Sequence, residues 1–408
     1  MLVYLKYCFQ GLAFPPGRGT LPSTRVPSLK RELVQFLLEE ASSPNSSTAM
    51  CLPYGGPNPN LLSLLELDTE ATLDVLRYAF VEDENERYNP LWNPVNSKTE
   101  TTEVDISTIE GANLVQKVVD VLAVILNLSY FQTGGSFNSK DERCTDIWPT
   151  SKDTENVLDF ISFLIASEKA KVSKDTLSQI FEYLTLGFND SGLIVETFKR
   201  KQKQLTALIE VLPEEDWDAH YLLNLCERGQ LHQVCGLIHA ITHQYLSALD
   251  SFVKAVDEPI LAFVFVDDML RQLRGKESDA FRSAVISRIP DLLKLNREGT
   301  FFLIVSHLGE ERDYILSQLR SNPESLFLYL KTLIEVRSTG TLNFSSLRQH
   351  NASDFLRGRK KKHMSSEAYL ETLSDLPKLV QNYPIVITDQ MTELYIEVSI
   401  VLNWLVSM

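Results

Sequence analysis

A run of short amphipathic helices between Trp217 and Val336 constrains the fold of this chain more than any other feature. In each predicted helix the apolar residues recur near the i, i+3, i+4, i+7 spacing, which places them on one face. The run reads DAHYLLNLCER, LHQVCGLIHAITH, YLSALDSFVKAV and PILAFVFVDDMLRQLR, followed by helices over 278–295, 300–308, 312–319 and 324–336. Because helices this short are marginal in water, each must bury its apolar face against neighbours. Repeating hairpins of this kind are typical of an α-solenoid, so we predict an all-α fold of stacked helical hairpins.

Further helices flank this run and are separated by long polar segments. They are predicted over 29–41, 61–66, 69–81, 112–131, 154–167, 174–186, 193–212, 367–380 and 389–408. Ser28 and Asp68 are the expected N-caps of the helices 29–41 and 69–81. Three long disordered loops are predicted at 82–110, 132–153 and 338–366, because these segments are polar or rich in Gly, Pro and Ser.

These helices and loops predict a division of the chain into three parts. Residues 1–131 form an N-terminal helical segment of the solenoid, interrupted by the loop 82–110. Residues 154–336 form the helical-repeat core, and residues 367–408 form C-terminal helices after the basic loop 338–366. A solenoid can grow in this way because its core is a ribbon shared between successive repeats.

The charge of the chain limits its partners. The formal net charge is −15, whereas non-specific binding to nucleic acid needs clustered Lys and Arg. We therefore predict no nucleic-acid partner and no broad adhesion to an anionic membrane, although a local basic patch could still do either job. The run Arg357–His363 (RGRKKKH) is basic. Its role stays open between a solvated loop, a nuclear signal, a lipid head-group contact and a partner site.

Cysteine usage and hydropathy point to a cytoplasmic protein. The chain has five cysteines, none in CxxC spacing, which predicts a reducing compartment without a disulfide framework. The apolar stretches Val118–Leu128 and Ile260–Val266 are well short of the ~18–20 residues that cross a bilayer. The first residues, MLVYLKYCFQGLAF, are interpreted as a helix ended by Pro15 and Pro16 rather than as a signal peptide.

Four histidines are the candidate metal ligands in this sequence. They are His220, His232, His239 and His243. His239 and His243 stand four residues apart on one helical face, as in some zinc sites. No Asp, Glu or Cys stands at a matching place to complete the set and there is no HExxH motif, so we interpret these histidines as structural and predict no metal site.

Two groups of carboxylates are the candidate acid–base residues. Asp267 and Asp268 are interpreted as the polar face of a helix, and Glu214, Glu215 and Asp216 as favourable negative charge before a helix N-terminus. No phosphate-binding loop, GxGxxG or GxSxG motif accompanies them. We therefore predict no catalytic residue, no cofactor-binding residue, no cofactor and no enzymatic activity.

Specific strings carry a resemblance to a known family. Residues 221–254, YLLNLCERGQLHQVCGLIHAITHQYLSALDSFVK, resemble a clathrin-heavy-chain-type repeat of the large vacuolar protein sorting subunits. The resemblance rests on Leu-Cys-Glu, the break at Gly229, Gln-Val-Cys and His-Gln-Tyr within that stretch. Residues 60–83 and 384–398 are similar to further segments, and together they resemble the family of vacuolar protein sorting-associated protein 8, the CORVET-specific tethering subunits.

The resemblance implies a function that composition does not show. Family members act in endosomal vesicle tethering and in protein transport to the vacuole or lysosome, as peripheral proteins on early and late endosomes. The implied partners are the class C core subunits of the complex and an early-endosomal Rab GTPase. The β-propeller and RING domain of the family have no counterpart pattern here, so the resemblance predicts the middle solenoid alone. The alternative hypothesis is a helical-repeat adaptor scaffold of a nuclear or ubiquitin pathway.

Overall fold

The computed structural model describes residues 1–39, 58–80, 106–132, 148–186, 195–344, 347, 366–382 and 388–406. These residues form helices joined by turns, and their one strand-like feature is an isolated antiparallel bridge between Leu12 and Thr20. The predicted all-α fold class is confirmed. The chain divides into two compact units, Met1–Asp218 and Ala219–Met408. This boundary lies inside the predicted core 154–336, and the three-part division stays a prediction.

The first unit is built from eight α-helices in the residues described. They are α1 (Leu2–Phe9), α2 (Val26–Leu37), α3 (Pro59–Leu67), α4 (Thr69–Phe80), α5 (Ile106–Gln132), α6 (Ser151–Ala166), α7 (Lys174–Thr185) and α8 (Val195–Val211), followed by a 3-10 turn at Glu214–Asp216. Most helices in contact are one or two apart along the chain, as in α3 with α4 and α6 with α8. This neighbour-to-neighbour packing is what stacked hairpins require.

The second unit contains the predicted run of short helices. They are α9 (Ala219–Arg228), α10 (His232–Ile241), α11 (Tyr245–Lys254), α12 (Ile260–Gln272), α13 (Gly275–Leu295), α14 (Arg297–His307), α15 (Arg312–Leu319), α16 (Pro323–Thr339), α17 (Ser366–Thr372), α18 (Leu376–Asn382) and α19 (Asp389–Val406), with a 3-10 turn at Leu373–Asp375. The helices α9 to α16 again pack on their near neighbours in sequence. However, α17 returns to pack on α12 and α18 on α14, which the sequence did not indicate.

Local capping explains where several helices begin. Asp68 Oδ1 accepts the Ala71 N–H at 2.9 Å, which confirms the predicted cap of α4. The predicted cap at Ser28 is wrong, because α2 begins at Val26 and Ser28 lies within it. Pro27 in the first turn explains the earlier start, since proline has the helical φ and lacks an N–H that would go unbonded there.

Most of the three predicted loops lies outside the described residues. Several of their ends are helical instead, at 106–110, 132, 151–153, 338–339 and 366, and two of these are extensive. Residues 106–110 belong to α5, where Ile106 and Ile109 extend the apolar spacing of the helix. Residues 151–153 belong to α6, which starts early because Thr150 and Asp153 form a reciprocal capping box. The predicted loop boundaries at these two points are therefore wrong.

Gly236 of α10 lies against a side chain of the next helix in the repeat run. A Cβ atom at this position would lie 2.8 Å from the ring of Phe252 in α11, which is fully buried. Glycine is therefore required by the contact between the two helices and not by its own backbone conformation.

Gly236→Ala is expected to lower the free energy of unfolding by about 1–3 kcal/mol, because the added methyl group forces the Phe252 ring to move. Alanine normally stabilises a helix interior by about 1 kcal/mol relative to glycine. Gly111→Ala in α5, where nothing lies within 4 Å of the added Cβ, is the matched control and should raise the stability. Urea unfolding followed by circular dichroism checks both variants, and a gain in stability for both would contradict the prediction.

Candidate interaction surface and buried ionic network

The turns before and after α10 each contain a residue with a left-handed backbone conformation. The predicted break at Gly229 lies beside the residue that makes the turn, Gln230, whose φ is 55°. Here the Leu231 N–H donates to the Cys226 carbonyl at 2.9 Å. Such closures satisfy the last carbonyls of α9 and direct the chain into α10.

The histidines considered as metal ligands bond to neighbouring side chains instead. His239 Nδ1 lies 3.1 Å from Gln244 Oε1, and His243 Nδ1 lies 2.8 Å from the Tyr245 hydroxyl. Burial, followed by the positive charge of Lys254, lowers the pKa of His232. Within the described part of the chain, no three His, Cys, Asp or Glu side chains are grouped so that they could hold a metal ion. The structural interpretation of the four histidines stays a prediction, as does the absence of a metal site.

Two open depressions lie between α11 and α13 in the second unit, and we call them together the groove. Their volumes are about 540 and 480 Å³. The larger is lined by Asp250, Lys254, Arg288 and Lys294 together with apolar side chains. The groove therefore combines charge with apolar surface, which suits contact with another protein.

Two of the basic side chains in the groove are held in ion pairs, one of them with a residue outside the groove. Arg288 Nη2 lies 2.7 Å from Asp250 Oδ1, and Lys294 Nζ lies 3.7 Å from Glu324 Oε2. Half-exposed pairs of this kind contribute at most about 1 kcal/mol, so a partner can displace them at little cost. Leu246 and Val256 lie at the two ends of the groove and are 50% and 72% exposed. These two side chains offer the apolar area that a partner would bury.

A buried ionic network stands beneath the surface of the same unit. Asp267 in α12 is completely buried and accepts bonds from Arg271 Nε at 2.8 Å and His307 Nε2 at 2.7 Å. The interpretation of Asp267 and Asp268 as the polar face of a helix is therefore wrong, since both are buried. The reason is that α12 is covered by α11, α13, α14 and α17, so every residue from Ile260 to Leu270 is buried.

The charge of Asp267 also acts on Tyr369 of α17, whose hydroxyl has no hydrogen-bond partner among the described residues. Tyr369 of α17 is fully buried, and its ring packs edge-on against Phe302 of α14 with 6.0 Å between centroids. Burial raises the pKa of Tyr369, and the negative charge of Asp267 raises it further. The phenol is therefore neutral, and Tyr369 anchors α17 to the repeats by packing.

The lowered pKa of Asp267 should make the free energy of unfolding depend on pH. Burial raises this pKa, but hydrogen bonds and positive charge from His307 and Arg271 outweigh burial and hold it below its ordinary value of 3.8. A carboxyl group whose pKa is lower in the folded than in the unfolded state stabilises the fold at pH values above its unfolded-state pKa. This stabilisation is lost as the pH falls through its folded-state pKa.

The stability difference between the natural chain and Asp267→Asn is expected to narrow as the pH falls below about 4. Asparagine cannot ionise, so the difference isolates the carboxylate from the other acids of the chain. Urea titrations of both proteins at a series of pH values measure this difference in the free energy of unfolding. A difference that widens as the pH falls would contradict the sign of the shift.

A second ionic cluster ties helices together in the first unit. Asp159 of α6 lies 3.0 Å from Arg77 of α4 and 3.5 Å from Arg200 of α8. Nearby, Lys201 donates to the Tyr183 carbonyl at 3.2 Å and lies 4.0 Å from the centre of the Tyr183 ring. Burial lowers the pKa of Lys201. These contacts join the four helices α4, α6, α7 and α8, and they identify no reacting group.

Sequence reasoning missed both networks, because their partners are far apart in the chain. Asp267 and His307 are separated by 40 residues, and Arg77 and Asp159 by 82. The i, i+4 spacing of Asp267 and Arg271 was the available signal, since such a pair is favourable on a helix.

The fold and the groove define a class, that of helical-repeat proteins with exposed contact surfaces. None of the helices in the described ranges is both long and apolar enough to span a bilayer.

Comparisons with known proteins point to one family within this class. Residues 1–80 match the family model described as Vps8 central TPR. The chain is similar to vacuolar protein sorting-associated protein 8 homologs of Mus musculus (21% identical over 342 residues), Homo sapiens (20% over 342) and Drosophila melanogaster (22% over 345). Each match covers 83% of this chain but only 20%, 20% and 23% of the relative, so the chain spans about a fifth of their length. No solved structure matches the chain significantly. The resemblance drawn from the sequence is confirmed.

Proposed function

We propose that this chain is a non-enzymatic part of an endosomal vesicle-tethering subunit that acts in protein transport to the vacuole or lysosome. The observation that carries the proposal is similarity to vacuolar protein sorting-associated protein 8 homologs over 83% of the chain. The helical repeats support it, because such repeats offer extended surfaces for assembly. CORVET is the complex that the family resemblance implies.

The proposed partners are the class C core subunits of the tethering complex and an early-endosomal Rab GTPase. The groove between α11 and α13 is the contact surface we assign to the core subunits, since apolar Leu246 and Val256 flank its displaceable ion pairs. Association with endosomes then follows from these partners, and the protein itself is cytoplasmic and peripheral.

A pull-down of the 408-residue chain with purified class C core subunits tests the proposal. We expect binding, and we expect Leu246→Asp with Val256→Asp to weaken it at least about tenfold, because a buried carboxylate replaces an apolar contact. Tyr314→Asp is the matched control, since Tyr314 is 54% exposed and does not line the groove. Absence of binding where a full-length relative binds would contradict the proposed function, and equal loss in the control would contradict the assignment of the groove.

Localisation of the tagged chain separates this function from a nuclear or ubiquitin-pathway adaptor. The basic run Arg357–His363, on which the adaptor hypothesis rests, lies outside the described residues. Puncta that coincide with endosomal markers are expected, whereas a nuclear signal that depends on this run would favour the adaptor.

A further inference from the structure

The first 31 residues differ in charge from the rest of the chain. They contain five Lys or Arg and no Asp or Glu, although the whole chain carries a net charge of −15. The basic residues are Lys6, Arg18, Arg25, Lys30 and Arg31. An acidic chain with one basic segment presents that segment to anionic partners and repels them elsewhere. This is a local basic region of the kind that net charge alone does not exclude.

An exposed loop carries one of these arginines. The Leu21 N–H donates to the Gly11 carbonyl at 2.7 Å and the Ala13 N–H to the Gly19 carbonyl at 2.9 Å, which closes the base of the loop. Residues 14–20 are all exposed. Arg18 lies next to this base, between two glycines with positive φ. The closed base gives the exposed loop a defined backbone conformation.

The second exposed arginine lies beside the base of this loop. Arg25 directly precedes Val26, and the side chain of Val26 lies 3.3 Å from the Cβ position of Gly11. Lys6 is partly neutralised by Asp74 at 3.4 Å. Arg18 and Arg25 make no ion pair with any residue that the structure describes. These two arginines therefore carry the charge that is available to a partner.

Exposed apolar side chains stand next to the loop. Phe14 packs edge-on against Tyr4 and Tyr7, with 5.5 and 6.2 Å between ring centroids. Val3, Tyr4 and Phe14 are 61%, 38% and 46% exposed. The buried face of α1 faces the other way, toward α4 and α2, so this outer aromatic cluster does not serve the core of the unit.

We propose that these side chains form a membrane-binding face that contacts anionic lipid directly. The face is defined by Val3, Tyr4, Phe14, Arg18 and Arg25. Aromatic and aliphatic side chains beside arginines are the composition of surfaces that sit at the headgroup level of a bilayer. Arginines near such a surface are attracted by anionic headgroups.

The shape of the face favours lipid over an acidic protein segment. Peptides and small ligands are bound mainly in clefts, whereas Phe14 and Arg18 belong to a loop whose residues 14–20 are all exposed. An exposed loop can enter the interface of a bilayer, while it offers a peptide little enclosed area. The acidic remainder of the chain is repelled by the same membrane, so the contact orients the protein with α1 and its loop toward the lipid.

The membrane-binding face goes beyond the proposed function, which places the protein on endosomes through its partners. Its test needs no partner protein, so failure here leaves the class C pull-down unaffected, and the reverse also holds. In cells, a direct lipid contact would add to partner-mediated recruitment as a second, independent attachment.

Co-sedimentation of the full chain with vesicles tests the proposal. We expect binding to phosphatidylcholine vesicles that contain phosphatidylserine, little binding to phosphatidylcholine alone, and loss of binding at high ionic strength. Arg18→Gln with Arg25→Gln should lower the partition coefficient about 25-fold at low ionic strength, at about fivefold for each arginine. Phe14→Ser should lower it about tenfold, because the ring no longer leaves water.

Matched variants elsewhere on the surface control for charge and for aromatic area. Arg228→Gln with Arg320→Gln removes two exposed charges outside the face, and Tyr314→Ser removes an exposed ring. Neither should change binding by more than about twofold. All these positions are exposed, and circular dichroism will confirm that the variants fold.

Three results would overturn the membrane-binding face. The first is no preference for phosphatidylserine vesicles. The second is binding that the Arg18 and Arg25 changes leave intact, or that the control changes reduce equally. The third is self-association that Phe14→Ser abolishes in light scattering while vesicles fail to bind, because the apolar cluster would then belong to a contact between two copies.

Discussion

Asp267→Ala is expected to lower the free energy of unfolding of the second unit by about 3–5 kcal/mol, the usual cost of removing one partner of a buried pair. Asp267 is fully buried and accepts bonds from Arg271 and His307. Without the carboxylate, His307 loses its acceptor, and Arg271 must turn to solvent. The change also weakens the attachment of α14 to α12, since His307 lies at the end of α14.

Hydrogen exchange of the full chain in dilute denaturant measures this loss separately in each unit. Amides of α12 and α14 should lose protection, while those of α6 in the first unit should not. Asp250→Ala is the control, because it breaks an ion pair of the same chemistry, with Arg288, in which both side chains are 44% exposed. It should cost less than about 1 kcal/mol. Equal costs for the two variants would mean that burial does not set the strength of the Asp267 network.

Phe252→Ala is expected to cost about 3–5 kcal/mol, because it leaves a cavity at the centre of the repeat run. The Phe252 ring is completely buried, lies 5.0 Å from the ring of Phe265 in α12, and faces Gly236 in α10. One side chain therefore joins three successive helices. Its loss should uncouple α10 from α12, although both keep their own apolar faces.

The contact between Phe252 and Gly236 gives this prediction an internal check. In the Phe252→Ala background the methyl group of Gly236→Ala has room, so the second change should no longer destabilise the chain. Leu246→Ala, on the same helix but half exposed, should change stability by less than about 0.5 kcal/mol. Thermal and urea unfolding measure all four proteins. Additive losses in the double variant would show that the two residues do not share one contact.

The helices of the repeat run were predictable because their signal is local. The spacing of apolar residues gave α9 to α16 to within a few residues, and Asp68 was correctly identified as a cap. Ser28 failed as a cap because Pro27 offered a better start two residues earlier. Helix ends are decided by small energy differences between adjacent residues, so a pattern locates them less well than it locates the helix.

The candidate groove could be predicted only in part. The string recognised in residues 221–254 supplies α11, one wall of the groove, and its family resemblance pointed to an interaction surface. The other wall, α13, was predicted as a helix without any indication that it faces α11. Sequence reasoning also missed the proposed membrane-binding face, because its loop is closed by backbone hydrogen bonds that no residue pattern indicates.

The sequence by itself determined that this protein is a stack of short helices, because helical periodicity is a property of each segment and short helices require neighbours. Only the tertiary structure decided that α17 and α18 return to α12 and α14, and that Asp267 is buried against His307. Those outcomes depend on shape and charge matched between distant segments. Such matches are distributed over many side chains, so no local pattern encodes them.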